Sequence, residues 1–189
     1  MCGMMSALVF FYIVIPMLLC LILHDAEAAA TLRGWMLRNG SGLAKRFPRF
    51  EKLIRHFGKL GTLAFSIAAI GELLIAFLAI ALLIILECYF AVWVFVCLYM
   101  AIWVRFIVHI ILAIVIRKYV PGLITSIITV AYMACVSMPL YIYFQWYDIV
   151  LFALAGTVFM VANMIVAHRI GMSVSGYIHA RLQNHKNHV

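Results

Sequence analysis

AIWVRFIVHIILAIVIRKYVPGL, residues 101 to 123, puts an arginine and a histidine where the surrounding sequence predicts lipid. Arg105 and His109 are four residues apart, so on a helix they stack on one face. From Tyr89 to Ile116 the run is otherwise apolar and long enough to cross a bilayer. A charge at that depth is costly, and it normally turns toward a bundle interior or a wet cavity and marks function. Arg117, Lys118, Tyr119, Pro121 and Gly122 then give an interfacial signature followed by a helix restart.

The rest of the chain extends that reading. Of its 189 residues 68% are apolar and only 11% charged, with a mean hydropathy of +1.17. Soluble domains carry roughly a quarter charged residues, so an integral membrane protein is expected. The predicted fold is all-α: a polytopic helical bundle of about five spans forming one domain over residues 1–189. The net charge of +8 does not point to nucleic acid. Every Lys and Arg except Arg105 lies between or beyond the apolar runs, a pattern that belongs to topology, and no nucleic-acid module is recognisable. Cys2, Cys20, Cys88, Cys97 and Cys135 lack paired spacing and read as small buried hydrophobes, with no disulfide framework or cysteine zinc site.

Residues 5–23 are the first expected span, with Pro16 a potential kink. Ala26-Glu27-Ala28 after it would suit signal cleavage, but no basic residue precedes the apolar run, which favours a retained helix. Residues 24–40 continue as helix until Asn39-Gly40, the expected stop. A basic cytoplasmic segment over 38–60 carries Lys45, Arg46, Arg49, Lys52, Arg55 and Lys59, alternating with Phe47, Phe50, Leu53, Ile54 and Phe57. That spacing suits an interfacial helix whose 45–59 cluster meets anionic headgroups. The remaining spans are predicted at 62–86, 89–116, 122–144 and 149–167, with a disordered polar tail at 170–189 holding His179, His185 and His188. Placing the basic segments inside puts Glu87 and Asp148 opposite, the N-terminus outside and the C-terminus inside, most naturally in the cytoplasmic membrane.

The polar residues also share a depth. At 1.5 Å per residue, Glu72 lies about 16 Å in from Gly61, Arg105 about 18 Å and His109 about 12 Å in from Arg117, and Asn163 about 9 Å inside Arg169. His24, Glu27 and His168 sit at the same ends of their spans. Several helices therefore offer polar groups to the cytoplasmic half, as a cytoplasm-facing cavity would require, and Glu72 with Arg105 is the expected charge pair.

Three pieces of the chain resemble the small membrane proteins grouped as the HXXEE family: His24-Asp25-Ala26-Glu27-Ala28, the acid-bearing AAIGELL at 68–74, and His109 followed by Tyr119-Val120-Pro121-Gly122. Ala28 stands where the family has its second acid, Gly71 precedes Glu72 where a polar residue is expected, and Val108 precedes His109 where Asn is common. The resemblance implies a fold and a residue set, including Tyr119, but no reaction.

Three functions fit these residues. One is a cytoplasm-facing site in which His24, Glu27, His109 and His168 bind a divalent metal such as zinc or iron, or in which Glu72, Arg105 and His109 act in acid-base catalysis on a lipid-like substrate. The second is a small transporter or proton relay, which would favour a homo-oligomer. The third is a non-catalytic membrane subunit.

Overall fold

The computed structural model describes residues 10–86 and 88–186. Cys2, Glu87, His188 and the start of the first expected span therefore lie outside the described residues, as do the side chains of His179, His185 and Lys186. Among the described residues the chain is helical, with no strand.

A π-helical turn, Phe10–Val14, leads into α1 (Ile15–Arg46). Pro16 stands just after the π-helical turn, so its missing N–H falls where the chain passes from π to α hydrogen bonding and the irregular turn accommodates it. The stop expected at Asn39-Gly40 does not occur. Asn39 donates its side-chain amide to Trp35 O at 3.0 Å, a bond made within the helix. α1 ends instead at Phe47, the residue whose helical conformation Pro48 disfavours. A 3₁₀ turn, Pro48–Phe50, then enters α2 (Glu51–Lys59). This short amphipathic helix folds back so that Ile54 and Phe57 pack with Trp35, Met36, Leu43 and Val120.

α3 (Thr62–Leu86) and α4 (Tyr89–Ile116) follow as predicted. α4 ends at Arg117, which adopts the left-handed conformation at φ 58°, while Lys118 N bonds back to Ala113 O. The span expected over 122–144 is split into α5 (Leu123–Val136) and α6 (Met138–Tyr143) at a turn on Ser137. Pro139, in the first turn of α6, has no N–H to continue the α5 ladder. α7 (Trp146–Lys186) is one continuous helix. The helix therefore runs on past the span expected at 149–167, and the disorder expected in the tail is corrected as far as Lys186: no proline interrupts the run, and Gly171 is seated against Ala64 of α3.

Four stretches, Tyr12–Arg46, Thr62–Leu86, Tyr89–Ile116 and Trp146–Ile178, are long and apolar enough to cross a membrane, and α5 is a shorter apolar helix. The core between them is built on Met17, Leu21, Tyr99, Ile102, Phe106 and Met133. Tyr99 Oη meets Ser137 Oγ at 2.9 Å, and Ser137 donates to Met133 O. Lipid tails are as apolar as these side chains, so close backbone approach and hydrogen bonds carry more of the association than apolar burial does. α7 shows this at two points. A Cβ at Gly156 would collide with Cys97 O of α4, and one at Gly171 would collide with Ala64 O of α3. Cys88 and Cys135 face outward and Cys20 and Cys97 are half-buried, so the cysteines expected as buried hydrophobes are only partly so; all four are free.

Candidate functional site

α1 carries His24, Asp25 and Glu27 in a single turn, and each reaches a different partner. Asp25 accepts from Arg105 Nη2 at 2.7 Å, and Glu72 Oε2 accepts from Arg105 Nη1. One guanidinium on α4 thus joins α1 to α3 through both arms of its planar fork, a geometry suited to two carboxylates. Arg105 keeps 16% of its side-chain surface, Glu72 10% and Asp25 4%. Asp25 Oδ2 is buried with no hydrogen-bond partner.

Glu27 reaches the start of α5. Its carboxylate accepts from the backbone N–H groups of Ile124 at 3.3 Å and Thr125 at 2.9 Å, from Thr125 Oγ1 at 2.7 Å and from Tyr119 Oη at 2.6 Å. Those N–H groups are orphans of the first turn of α5, and a carboxylate there also complements the helix dipole. Glu27 is therefore a cap supplied by another helix. Partial burial and the Glu27 carboxylate raise the Tyr119 phenol above its usual range.

His24 is fully buried between Phe106 and His109. Its Nδ1 lies 3.3 Å from both Thr125 Oγ1 and Ser126 Oγ. The Ser126 hydroxyl proton goes to Gly122 O at 2.6 Å and the Thr125 proton to Glu27. Both oxygens are thus left to accept, which assigns the proton of His24 to Nδ1. Its Nε2 is buried and unpartnered. His109 Nδ1 donates to Pro121 O at 2.9 Å. Gly122 has φ +82°, and a Cβ there would sit 2.5 Å from His24 Cε1. Glycine is required on both counts, by the backbone conformation and by the imidazole beside it.

Further along, α1 holds the α4–α5 connection. Trp35 Nε1 donates to Tyr119 O at 2.6 Å, Lys118 Nζ to Asn39 Oδ1 at 3.1 Å, and Arg46 to Ile116 O and Val115 O, the terminal carbonyls of α4.

Two cavities flank the Arg105–Glu72 pair. The inner one, about 310 Å³, lies between α1, α3, α4 and α7; its walls include Phe65, Ala69, Val108 and Met164, with His109 and His168. The other, about 540 Å³, runs between α3, α4 and α7 past Ala79, Trp93, Ala155 and Asn163. Glu72 and Arg105 line both, whereas Asp25 lines neither. At the end of the inner cavity His168 is buried, with Nδ1 3.4 Å from His56 Nε2 of α2 and its ring against Phe57 and Phe65.

The sequence-selected residues therefore separate into four groups. Glu72 and Arg105 pair; His24 meets His109; Glu27 joins Tyr119 and the start of α5; and His168 pairs with His56. Asn163 lines the larger cavity. His24, Glu27, His109 and His168 do not meet as one ligand set, and among the described residues no group of three or more His, Cys, Asp or Glu side chains is arranged to hold a metal ion. Asp25, His56, Thr125 and Ser126 are participants that sequence reasoning missed. Asp25 had a visible signal, since it lies inside the His24–Glu27 turn and Arg105 has five donors to satisfy.

Searches of curated proteins and of solved structures returned no match. The sequence profile of one family, proteins of unknown function with an HXXEE motif, matches residues 13–143. That match covers well over half of the chain, including the His24–Glu27 turn, Glu72, Arg105, His109 and the Tyr119–Gly122 connection. The protein belongs to the family of unknown function with the HXXEE motif.

Proposed function

We propose that this protein is a multi-pass membrane protein, one membrane domain, that binds an amphipathic, lipid-derived molecule in the apolar clefts beside Arg105. The observation that carries this reading is the position of the Arg105–Glu72 pair, a polar group shared by two otherwise apolar cavities. A pocket of that kind accepts a hydrocarbon tail and orients a polar head. A purely structural bridge would have no need of open space on both sides.

The orientation follows from the basic residues. With α2 and the 45–59 cluster on the cytoplasmic face and against anionic headgroups, and with α5 and α6 together making a fifth crossing, the N-terminus is outside, the C-terminus is inside, and the inner cavity lies in the cytoplasmic half. His109 Nε2 and Glu72 are the groups available for proton transfer to a bound head, should the site carry out chemistry.

The test is lipid mass spectrometry on the purified protein. A specific amphiphile should be retained by the wild type and lost from Ala69→Phe and Ala155→Phe, which fill the two cavities without touching an ion pair. Equal retention in all three proteins would remove the site.

A further inference from the structure

We propose that the head of the bound amphiphile is cationic: a protonated amine that takes its place beside Glu72 Oε1. This deepens the reading above and rests on it.

Asp25 and Glu72 share a single cation, Arg105, so the buried group has a formal charge of −1. The side chains that share the cavities with Glu72 supply no Lys or second Arg: His109 and His168 line the first, Asn163 the second, and Arg105 is common to both. Protonating His24 on Nε2 would leave that proton without an acceptor, because the atom is buried with no partner. Glu27 contributes a further negative charge and is already held by four donors. An uncompensated charge away from water is strongly unfavourable, so the site needs one more positive charge.

Geometry says where that charge enters. Asp25 is sealed behind the cavities and is the fixed partner of Arg105. Glu72 is nine-tenths buried and lines both cavities. Its Oε2 holds the guanidinium, and among the described residues no group bonds Oε1. An ammonium in either cavity meets an acceptor with a free oxygen and a net negative field, while its alkyl tail lies along Ala69 and Met164 or along Ala79 and Ala155. A carboxylate head would raise the deficit to two charges.

The experiment holds the tail constant and changes the head. Dodecylamine, dodecanol and dodecanoate are titrated calorimetrically into the protein in phosphatidylcholine nanodiscs, with empty nanodiscs subtracted. Dodecylamine should bind at least roughly tenfold more tightly than dodecanol, the ratio expected for one charge-assisted hydrogen bond, and dodecanoate most weakly. Glu72→Gln should bring the amine close to the alcohol. If that variant does not fold, the ranking of heads on the wild type decides alone. Saturable binding of all three without ranking overturns the cationic head and leaves the amphiphile site standing. Tightest binding of dodecanoate overturns it too. No saturable binding by any of the three, with Ala69→Phe and Ala155→Phe indistinguishable from wild type, overturns both.

Discussion

Where α1 meets the α4–α5 connection, side chains fill the space: Glu27 takes four hydrogen bonds, Trp35 and Arg46 hold carbonyls, and the His24 ring rests on Gly122. α3 and α7 also pack closely along their length, with Gly171 seated on Ala64 O, but beside Arg105 and Glu72 two cavities open between them. Polar side chains fill the first junction, whereas the second keeps open space beside a buried ion pair. Most of the motif residues thus lie on the side that sets the shape. The candidate ligand groups lie where the two sides meet, so substitutions on the first side should act on stability and those on the second on binding.

The largest effect should come at the junction. Arg105→Leu leaves two buried carboxylates without a cation and should destabilise the protein by about 3–5 kcal/mol in a denaturant titration. Adding Asp25→Asn and Glu72→Gln to it should restore much of that loss. A single variant as stable as the wild type would break the distinction between the two sides. Gly122→Ala comes next, at roughly 2–3 kcal/mol, from a left-handed non-glycine residue and a Cβ pressed against a buried imidazole. Combining it with His24→Ala should give less than the sum of the two changes, since one relieves the clash of the other.

Glu27→Gln should weaken the fold by about 1–2 kcal/mol, as one cap and one charged acceptor are lost together, with little effect on amphiphile binding. Tyr119→Phe should lose about 0.5–1 kcal/mol near neutral pH, a value reduced because the ring is partly exposed. The phenol is raised in the folded state, so its stabilisation is complete below the unfolded value of about 10 and lost as the pH rises through the folded one. The stability gap between the wild type and the Tyr119→Phe variant should therefore close in alkali. Smallest of all, Glu51→Gln breaks an exposed i,i+4 pair with Arg55 and should change stability by at most about 0.5 kcal/mol.

How far the sequence revealed this arrangement depended on periodicity and depth. The long apolar runs gave α3 and α4 with their ends, because charges and turn residues bound them. Equal depth suggested Glu72 with Arg105. Rotation about the helix axis was not legible. His168 sits at the same end of the bundle as His24 and Glu27, yet it points to His56 of α2, a helix whose fold-back no linear pattern announced. Asp25 was passed over for the same reason: beside His24 and Glu27 it reads as one polar end, and only packing separates the three into three partners. Asn39-Gly40 looked like a stop because local propensity is weak there, but the contacts of Trp35, Met36 and Leu43 carry the helix past it.

The two glycine seats of α7 set a mechanical condition on all of this. Gly156 and Gly171 are fifteen residues apart, about 22 Å along the axis, and each is pinned against a carbonyl of a different neighbour. A rod fastened at two such places neither rolls nor slides independently of both neighbours. If the clefts take a guest as proposed, its passage falls to smaller parts, such as the side chains of Met160 and Met164 that line them.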